Sequence, residues 1–330
     1  MLGVLWTEHY VALVTGIFVV IISLATYMKP SDPYGLFHLS LNKLPGESPD
    51  TAPRTEWLNM GYWRDTNVFP EACEALALKL IAAAKCEPGG NVLDVGHGSG
   101  ESLILQLSHP RVPRPSYLTG ITSLKTHHQR SSDRITRLQF SQSDVGDQPE
   151  VKLYHGDAIF RSGPDAKSNH PLDPSSSTPP YTTILALDCA YHFKLRSSFL
   201  RQSFHRLSPG GRIALADICF TPTSLQNNLY PYIPIPIHKL LRLSGLMAPA
   251  NAISPDQYVR EMQQMGYVDI QLEDISEDVF PGFTGFLKKR GGGWWLFSGV
   301  MEWWAGKGMR FVVVSGQKPA TSEEGVGSVS

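Results

Sequence analysis

From residue 90 onward, apolar and polar positions alternate in a succession of short segments separated by turn residues. Asn91–Val95 sets Val92, Leu93 and Val95 around one acid, the pattern of a buried strand. Comparable runs at 117–121, 151–154, 181–187 and 212–216 predict four more strands, and 268–272 and 311–315 predict a closing pair. Apolar residues at helical spacing over 70–85, 102–107, 197–207 and 254–265 predict helices; the last has Ser254 as its cap and Pro255 at its first position. Strands alternating with helices predict a parallel sheet of the α/β class, whose ligands bind outside the carboxyl ends of the strands. Asp94, Thr122, Asp157, Asp188, His192 and Asp217 all fall at such ends.

Several stretches break this rhythm. The run that begins at Tyr10 and ends at Met28 has no charge in 19 residues, long enough to cross a hydrocarbon core. Its Val, Leu, Ile and Phe residues together favour insertion by roughly 3 to 6 kcal/mol. We expect a transmembrane anchor over 1–29. A cleaved signal peptide needs a basic start and a small-residue cleavage site, and only Glu8 and His9 directly precede the run. Lys29, Lys43 and Arg54 put the positive side after it, so the rest of the chain is expected in the cytosol, on a membrane such as the endoplasmic reticulum. Residues 30–54 read as a linker, 161–180 as a disordered Pro/Ser-rich excursion and 320–330 as a disordered tail. In 220–246 alternating prolines prevent regular helix before Ile237, and 281–308 carries Trp294, Trp295, Trp303 and Trp304. Both read as insertions that either cap the domain or face the bilayer, where tryptophan rings favour the headgroup level.

Composition narrows the partners. At 330 residues with 42% hydrophobic content the chain has ample material for a core, and its net charge of -1 gives no electrostatic reason to expect a nucleic acid. Cys73, Cys86, Cys189 and Cys219 lack paired spacing, so neither a zinc site nor a disulfide framework is expected.

The chemistry centres on residues 91–102, NVLDVGHGSGES. Gly96, Gly98 and Gly100 make a tight loop between a strand and a helix whose amino end faces it. A dinucleotide fingerprint would be spaced G-x-G-x-x-G with its acid about 20 residues later. Here the spacing is G-x-G-x-G and Asp94 precedes the loop, which suits a ligand carrying an ammonium or sulfonium group. VLDVGHGSG resembles the first motif of class I S-adenosylmethionine-dependent methyltransferases, with His97 where a cysteine or another small residue is common. The resemblance spans roughly 56–318 and implies a Rossmann-like seven-stranded methyltransferase sheet with helices on both faces, preceded here by one transmembrane helix.

Other segments extend it. The L-N-x-G-Y-W run ahead of the loop looks like the amino-terminal lid of the sterol, tocopherol and cyclopropane-synthase-like branch, which implies Tyr62 and Trp63 as donor contacts. Gly120-Ile121-Thr122-Ser123 resembles that branch's G-I-T-x-S variant, in which hydroxyls stand in for a ribose-binding acid. Gly156-Asp157-Ala158 resembles the adenine-binding motif, and Asp188 completes the donor set at the end of the fourth strand. His192 resembles the histidine base of sugar and natural-product methyltransferases, assisted by an acid at the end of the fifth strand, here Asp217. The implied function is methyl transfer from S-adenosyl-L-methionine to a small-molecule or lipid acceptor at a membrane. Two other readings stay open: a noncatalytic scaffold of the same fold, and a nicotinamide oxidoreductase, which the glycine spacing disfavours.

Overall fold

A computed structural model describes residues 36–44, 46–48, 50–141, 148–162, 169–226 and 247–320. The run from Tyr10 to Met28, the proline-rich 227–246 and the tail from 321 lie outside the described residues. Among the described residues no helix is long and apolar enough to cross a membrane. The sheet and the helices that cover it belong to the unit that begins at His38.

Seven strands form one sheet: β1 (Asn91–Val95), β2 (Tyr117–Thr122), β3 (Glu150–His155), β4 (Tyr181–Leu187), β5 (Leu207–Phe220), β6 (Val268–Asp274) and β7 (Met309–Gln317). Their order is β3-β2-β1-β4-β5-β7-β6, parallel from β3 to β5, with β7 antiparallel to both its neighbours. The order reverses between β1 and β4, the place where open sheets of this kind leave a crevice beyond the strand ends.

Side-chain alternation divides the core into two layers. Val92, Leu185, Phe311 and Val313 pack on one face with α1 (Phe69–Ala83), α2 (Glu101–Ser108) and α6 (Ser276–Arg290). Leu93, Val95, Ile184, Ala186, Val312 and Val314 pack on the other with α4 (Arg196–Arg206) and α5 (Pro255–Gln264). Asp94 therefore lies on the α1/α2 side, in step with Val92. Two further helices, α3 (Lys125–Ser141) after β2 and α7 (Gly292–Gly306) after α6, complete the described set apart from short turns.

Two expectations are corrected, and for 281–308 the structure favours one of the two alternatives. The stretch read as a linker is docked over 39–44: Leu41 and Asn42 are buried, and Asn42 bonds the backbone of Trp57 in both directions at 2.8 and 2.9 Å. The excursion read as disordered is packed over 169–180, because Leu172 is buried and Arg206 donates to the carbonyls of Pro171 and Thr178 at 3.2 and 3.0 Å. The segment 281–308 is a helical hairpin on the sheet. Trp294 and Trp304 are buried in it and Trp304 meets Phe220 edge-on, so those two rings cap the core and do not face lipid.

Candidate active site

The loop between β1 and α2 is glycine at the positions where its neighbours come closest. Gly98 (φ +56) and Gly100 (φ +93) are left-handed, which other residues enter only with strain. Their missing side chains also make room: a Cβ would lie 2.8 Å from Leu58 Cδ1 at Gly98 and 2.8 Å from Ser131 Cβ at Gly100. At Gly96 it would lie 2.6 Å from Cys189 Sγ. The loop is thus gripped from three sides, by the strap of residues 55–63, by α3 and by the turn after β4.

Ion pairs fasten the strap. The Glu56 carboxylate accepts two bonds from Arg130 at 2.5 and 2.7 Å, and the Glu56 amide donates to Glu101 at 2.7 Å. Arg134 pairs with Glu101, and Ser99 Oγ donates to the Glu56 carbonyl at 2.6 Å. Further along, the Met60 amide donates to Asp188 at 2.7 Å. Tyr62 and Trp63, the donor contacts that the lid resemblance implies, are both engaged with the protein itself. The Tyr62 ring sits under Lys79, and Trp63 is a core residue between Phe69 and Phe286 whose Nε1 donates to the Met60 carbonyl. Leu58 and Met60 are the strap residues that reach the loop and the strand ends.

Two carboxyl groups are withdrawn from water here. Asp94 is buried; Gln106 donates to its Oδ2 at 2.8 Å, and its Oδ1 has no protein partner within hydrogen-bonding geometry. Burial raises its pKa to about 6, the nearby hydroxyl of Ser102 and the amide of Gln106 offsetting part of the effect. Asp188 has a left-handed backbone (φ +53), unusual for a residue with a side chain and a sign of local strain. Its Oδ2 takes the Met60 amide, and its Oδ1 has no protein partner within hydrogen-bonding geometry. Burial raises its pKa to about 8, against the opposing pull of the Met60 amide and the nearby Tyr191. His97 fills the space over Gly120, where a Cβ would lie 2.8 Å from its ring, and burial lowers its pKa to about 3, so it is neutral.

The ends of β2 and β3 lie beside this centre. Thr122 is buried and Ser123 exposed; their carbonyls bond the Gly156 amide and the His155 ring. Asp157 accepts from Arg161 at 3.0 Å and from the Ile159 amide at 3.2 Å, with Ala158 buried behind it. That carboxylate is engaged within its own turn.

His192 closes a 3₁₀ turn, Ala190–His192, that follows β4; it is exposed, with its ring 4.1 Å from that of Tyr191. A buried amide braces the turn: Asn251 Nδ2 donates to the carbonyls of Tyr191 and Phe193 at 3.1 and 2.6 Å. Asn251 Oδ1 accepts the Arg196 amide at 2.9 Å, and the Arg196 guanidinium returns to the Asn251 carbonyl at 2.8 Å. The same guanidinium pairs with Asp217 at 2.8 Å. Asp217, expected to assist the histidine, is fully buried and takes Arg196, Tyr258 Oη and the Ile218 amide. Both its oxygens are used, and it acts on the His192 turn through Arg196 and Asn251.

Residues 62–272 match the family described as the methyltransferase domain. The chain belongs to that family. It is a methyltransferase that uses S-adenosylmethionine. Among similar proteins are erythromycin 3''-O-methyltransferase of Saccharopolyspora erythraea, 25% identical over 71% of this chain and 69% of the relative, and 27-O-demethylrifamycin SV methyltransferase of Amycolatopsis mediterranei, 26% identical over 69% and 73%. The fold is also that of geranyl diphosphate C-methyltransferase from Streptomyces coelicolor, with a TM-score of 0.55 at 15% identity over 76% of this chain and 81% of that one.

The methyltransferase's own residues fit a donor that carries an ammonium and a sulfonium. Asp94 and Asp188 each hold a buried oxygen without a protein partner at adjacent strand ends, and the glycine loop lets backbone approach closely. Asp94, Asp188, Gly96, Gly98 and Gly100 would hold the donor, with Thr122, Ser123 and Ala158 at its flank.

Both carboxyl pKa values lie above the ordinary carboxylate value of about 3.9. Between about pH 4 and 8 the folded, donor-free protein keeps protons that the unfolded chain has released, so its stability falls as pH rises through that window and then levels off. Asp188→Asn removes the share of this loss that belongs to Asp188, which includes all of it above about pH 6. Donor-free Tm of the variant should exceed that of wild type at pH 8, by the equivalent of about 1–3 kcal/mol, and converge with it near pH 4. Parallel Tm curves from pH 4 to 9 would show that Asp188 is not held protonated. Asp217→Ala should instead destabilise the protein by about 3–5 kcal/mol in urea unfolding, since it leaves Arg196 buried and unpaired. A loss under 1 kcal/mol would contradict the structural role.

Proposed function

We propose that this methyltransferase acts on a hydroxyl of a small, lipophilic acceptor presented at a membrane, with His192 as the base. The observation that carries the reading is the placement of His192: an exposed imidazole on a turn braced by the buried Asn251, four residues after the Asp188 that marks the donor end of β4. The curated relatives named as O-methyltransferases support an oxygen acceptor.

S-adenosylmethionine supplies an electrophilic methyl group on a cationic sulfur. The protein's part is alignment and proton management. The strap and the turn after β4 close on the glycine loop and shield the strand ends from water, which strengthens the attraction between the carboxylates and a cationic ligand. Holding the reacting groups in line contributes up to about 7–11 kcal/mol. The acceptor hydroxyl must lose its proton as its oxygen gains a methyl group. His192 accepts that proton, and solvent removes it afterwards from the exposed ring. Asn251 holds the backbone of the turn that carries the ring, which makes it a positioning residue.

The membrane half of the reading rests on the uncharged run from Tyr10 to Met28 followed by Lys29, which favours a single-pass anchor with the domain on the cytosolic side, for example at the endoplasmic reticulum. A lipophilic acceptor concentrated in the bilayer would then reach the domain without crossing water.

His192→Ala should lower methyl transfer about 10² to 10⁴-fold with donor affinity nearly unchanged, and the deficit should shrink as pH rises and more acceptor is already deprotonated. The check is a pH profile of labelled methyl incorporation into a lipid and metabolite extract, with donor affinity measured alongside. Full turnover in the variant would leave alignment alone as the mechanism.

A further inference from the structure

Helix α7 lies on the outside of the domain yet lacks a polar outer face. Its inner side buries Trp294, Met301 and Trp304. Its outer side shows Trp295 at 58% and Leu296 at 57% exposure, side by side, with Gly292, Gly293 and Gly299 exposed along the same helix and Phe297 and Val300 half-buried. The one acid in the helix, Glu302, is tied to Lys288 at 2.6 Å. A helix apolar all round belongs in a core or against lipid.

Two features beside it say which. The end of α6, directly before α7, carries Lys288, Lys289 and Arg290, all exposed. Cations flanking an exposed tryptophan match the headgroup region of a bilayer, where aromatic rings sit at the interface and basic side chains meet phosphate. Arg290 also donates to the carbonyls of Leu41 and Lys43 at 3.3 and 3.0 Å, so it fastens the chain thirteen positions after Met28 to this same corner. Thirteen residues reach at most about 45 Å, so a bilayer that held the uncharged run would lie within that distance of the corner.

We infer that the corner formed by Trp295, Leu296 and the basic end of α6 is a lipid-docking surface, seated at the headgroup level of the membrane. It deepens the proposed membrane association, on which it rests, by naming the surface that meets the bilayer. The docked corner fixes the orientation of the domain, whereas a tether alone would let it tumble. Of the four tryptophans in the hairpin only Trp295 is exposed, so a single ring and not the two pairs would enter the headgroups.

The test uses the full chain in vesicles of phosphatidylcholine with one-fifth phosphatidylserine, the acyl chains brominated next to the headgroup or left plain. Bromine quenches nearby tryptophans. Wild type should lose more emission in brominated vesicles than Trp295→Phe, and Leu296→Glu should reduce the Trp295 component at least twofold. Equal fractional quenching in wild type and Trp295→Phe overturns the proposal, and so does a dimer in ultracentrifugation that Leu296→Glu converts to monomer, which would assign the face to a second copy. Donor binding verifies that each variant is folded. Carbonate extraction separates the two claims. A chain that carbonate releases, yet whose Trp295 is quenched, loses the anchor and keeps the docking surface. A chain retained in the pellet without Trp295 quenching keeps the anchor and loses the surface.

Discussion

Two carboxyl groups at the ends of neighbouring strands, each with an oxygen that no protein group satisfies, set the terms for the whole site. A buried carboxylate with only one of its oxygens satisfied is costly, and burial raises the pKa of both groups, far enough at Asp188 to keep its proton at neutral pH in the donor-free state. The ionised arrangement is stable only if something later supplies positive charge there. The Met60 amide on Asp188, the Gln106 amide on Asp94 and the left-handed backbone of Asp188 hold the groups in place without neutralising them. Much of the local architecture follows from that need: the strap that covers the strand ends, the salt bridges of Glu56 and Glu101 that fasten it, and the glycines that let three elements meet.

The sheet was legible in the sequence because each strand alternates or runs apolar for the length of one crossing, and both core layers use that alternation directly: Val92 on one face, Leu93 and Val95 on the other. The glycine loop and Asp94 were legible because their backbone and charge requirements leave few other residue types. Helix α3 gave no such signal. Its buried positions, His127, Ser131 and Ile135, fall at helical spacing, but two of the three are polar. The docking of Leu41 and Asn42 and of 169–180 was hidden for a related reason: single buried residues and backbone carbonyls that accept from Arg206, Arg290 and Asn42 hold those segments, and no periodic pattern marks them.

Asp217 shows where strand-end reasoning overreaches. Its position in sequence matched an assisting acid, yet β5 continues to Phe220 and carries Asp217 into the interior, where Arg196 and Tyr258 meet it. Neither arginine nor tyrosine could be assigned to it without knowing that α4 and α5 pack on the same face. The lid aromatics were legible only in part. Tyr62 and Trp63 follow the strap's contact residues by a few positions, and the packing of Phe69 and Phe286 draws the tryptophan into the core. The aromatic character was visible, but which neighbour it would serve depended on α6.

Whether Asp188 waits protonated for a cationic donor is open to one direct measurement. Calorimetric titration with S-adenosylmethionine at pH 7, in phosphate and in Tris, separates the heat of binding from the heat of proton transfer to buffer. With the Asp188 pKa at about 8 in the free protein, binding should release a proton as the donor's charge stabilises the carboxylate. About one proton should be released by wild type and markedly less by Asp188→Asn. Binding heats that are the same in both buffers, or proton release that the variant leaves unchanged, would contradict a protonated, waiting Asp188.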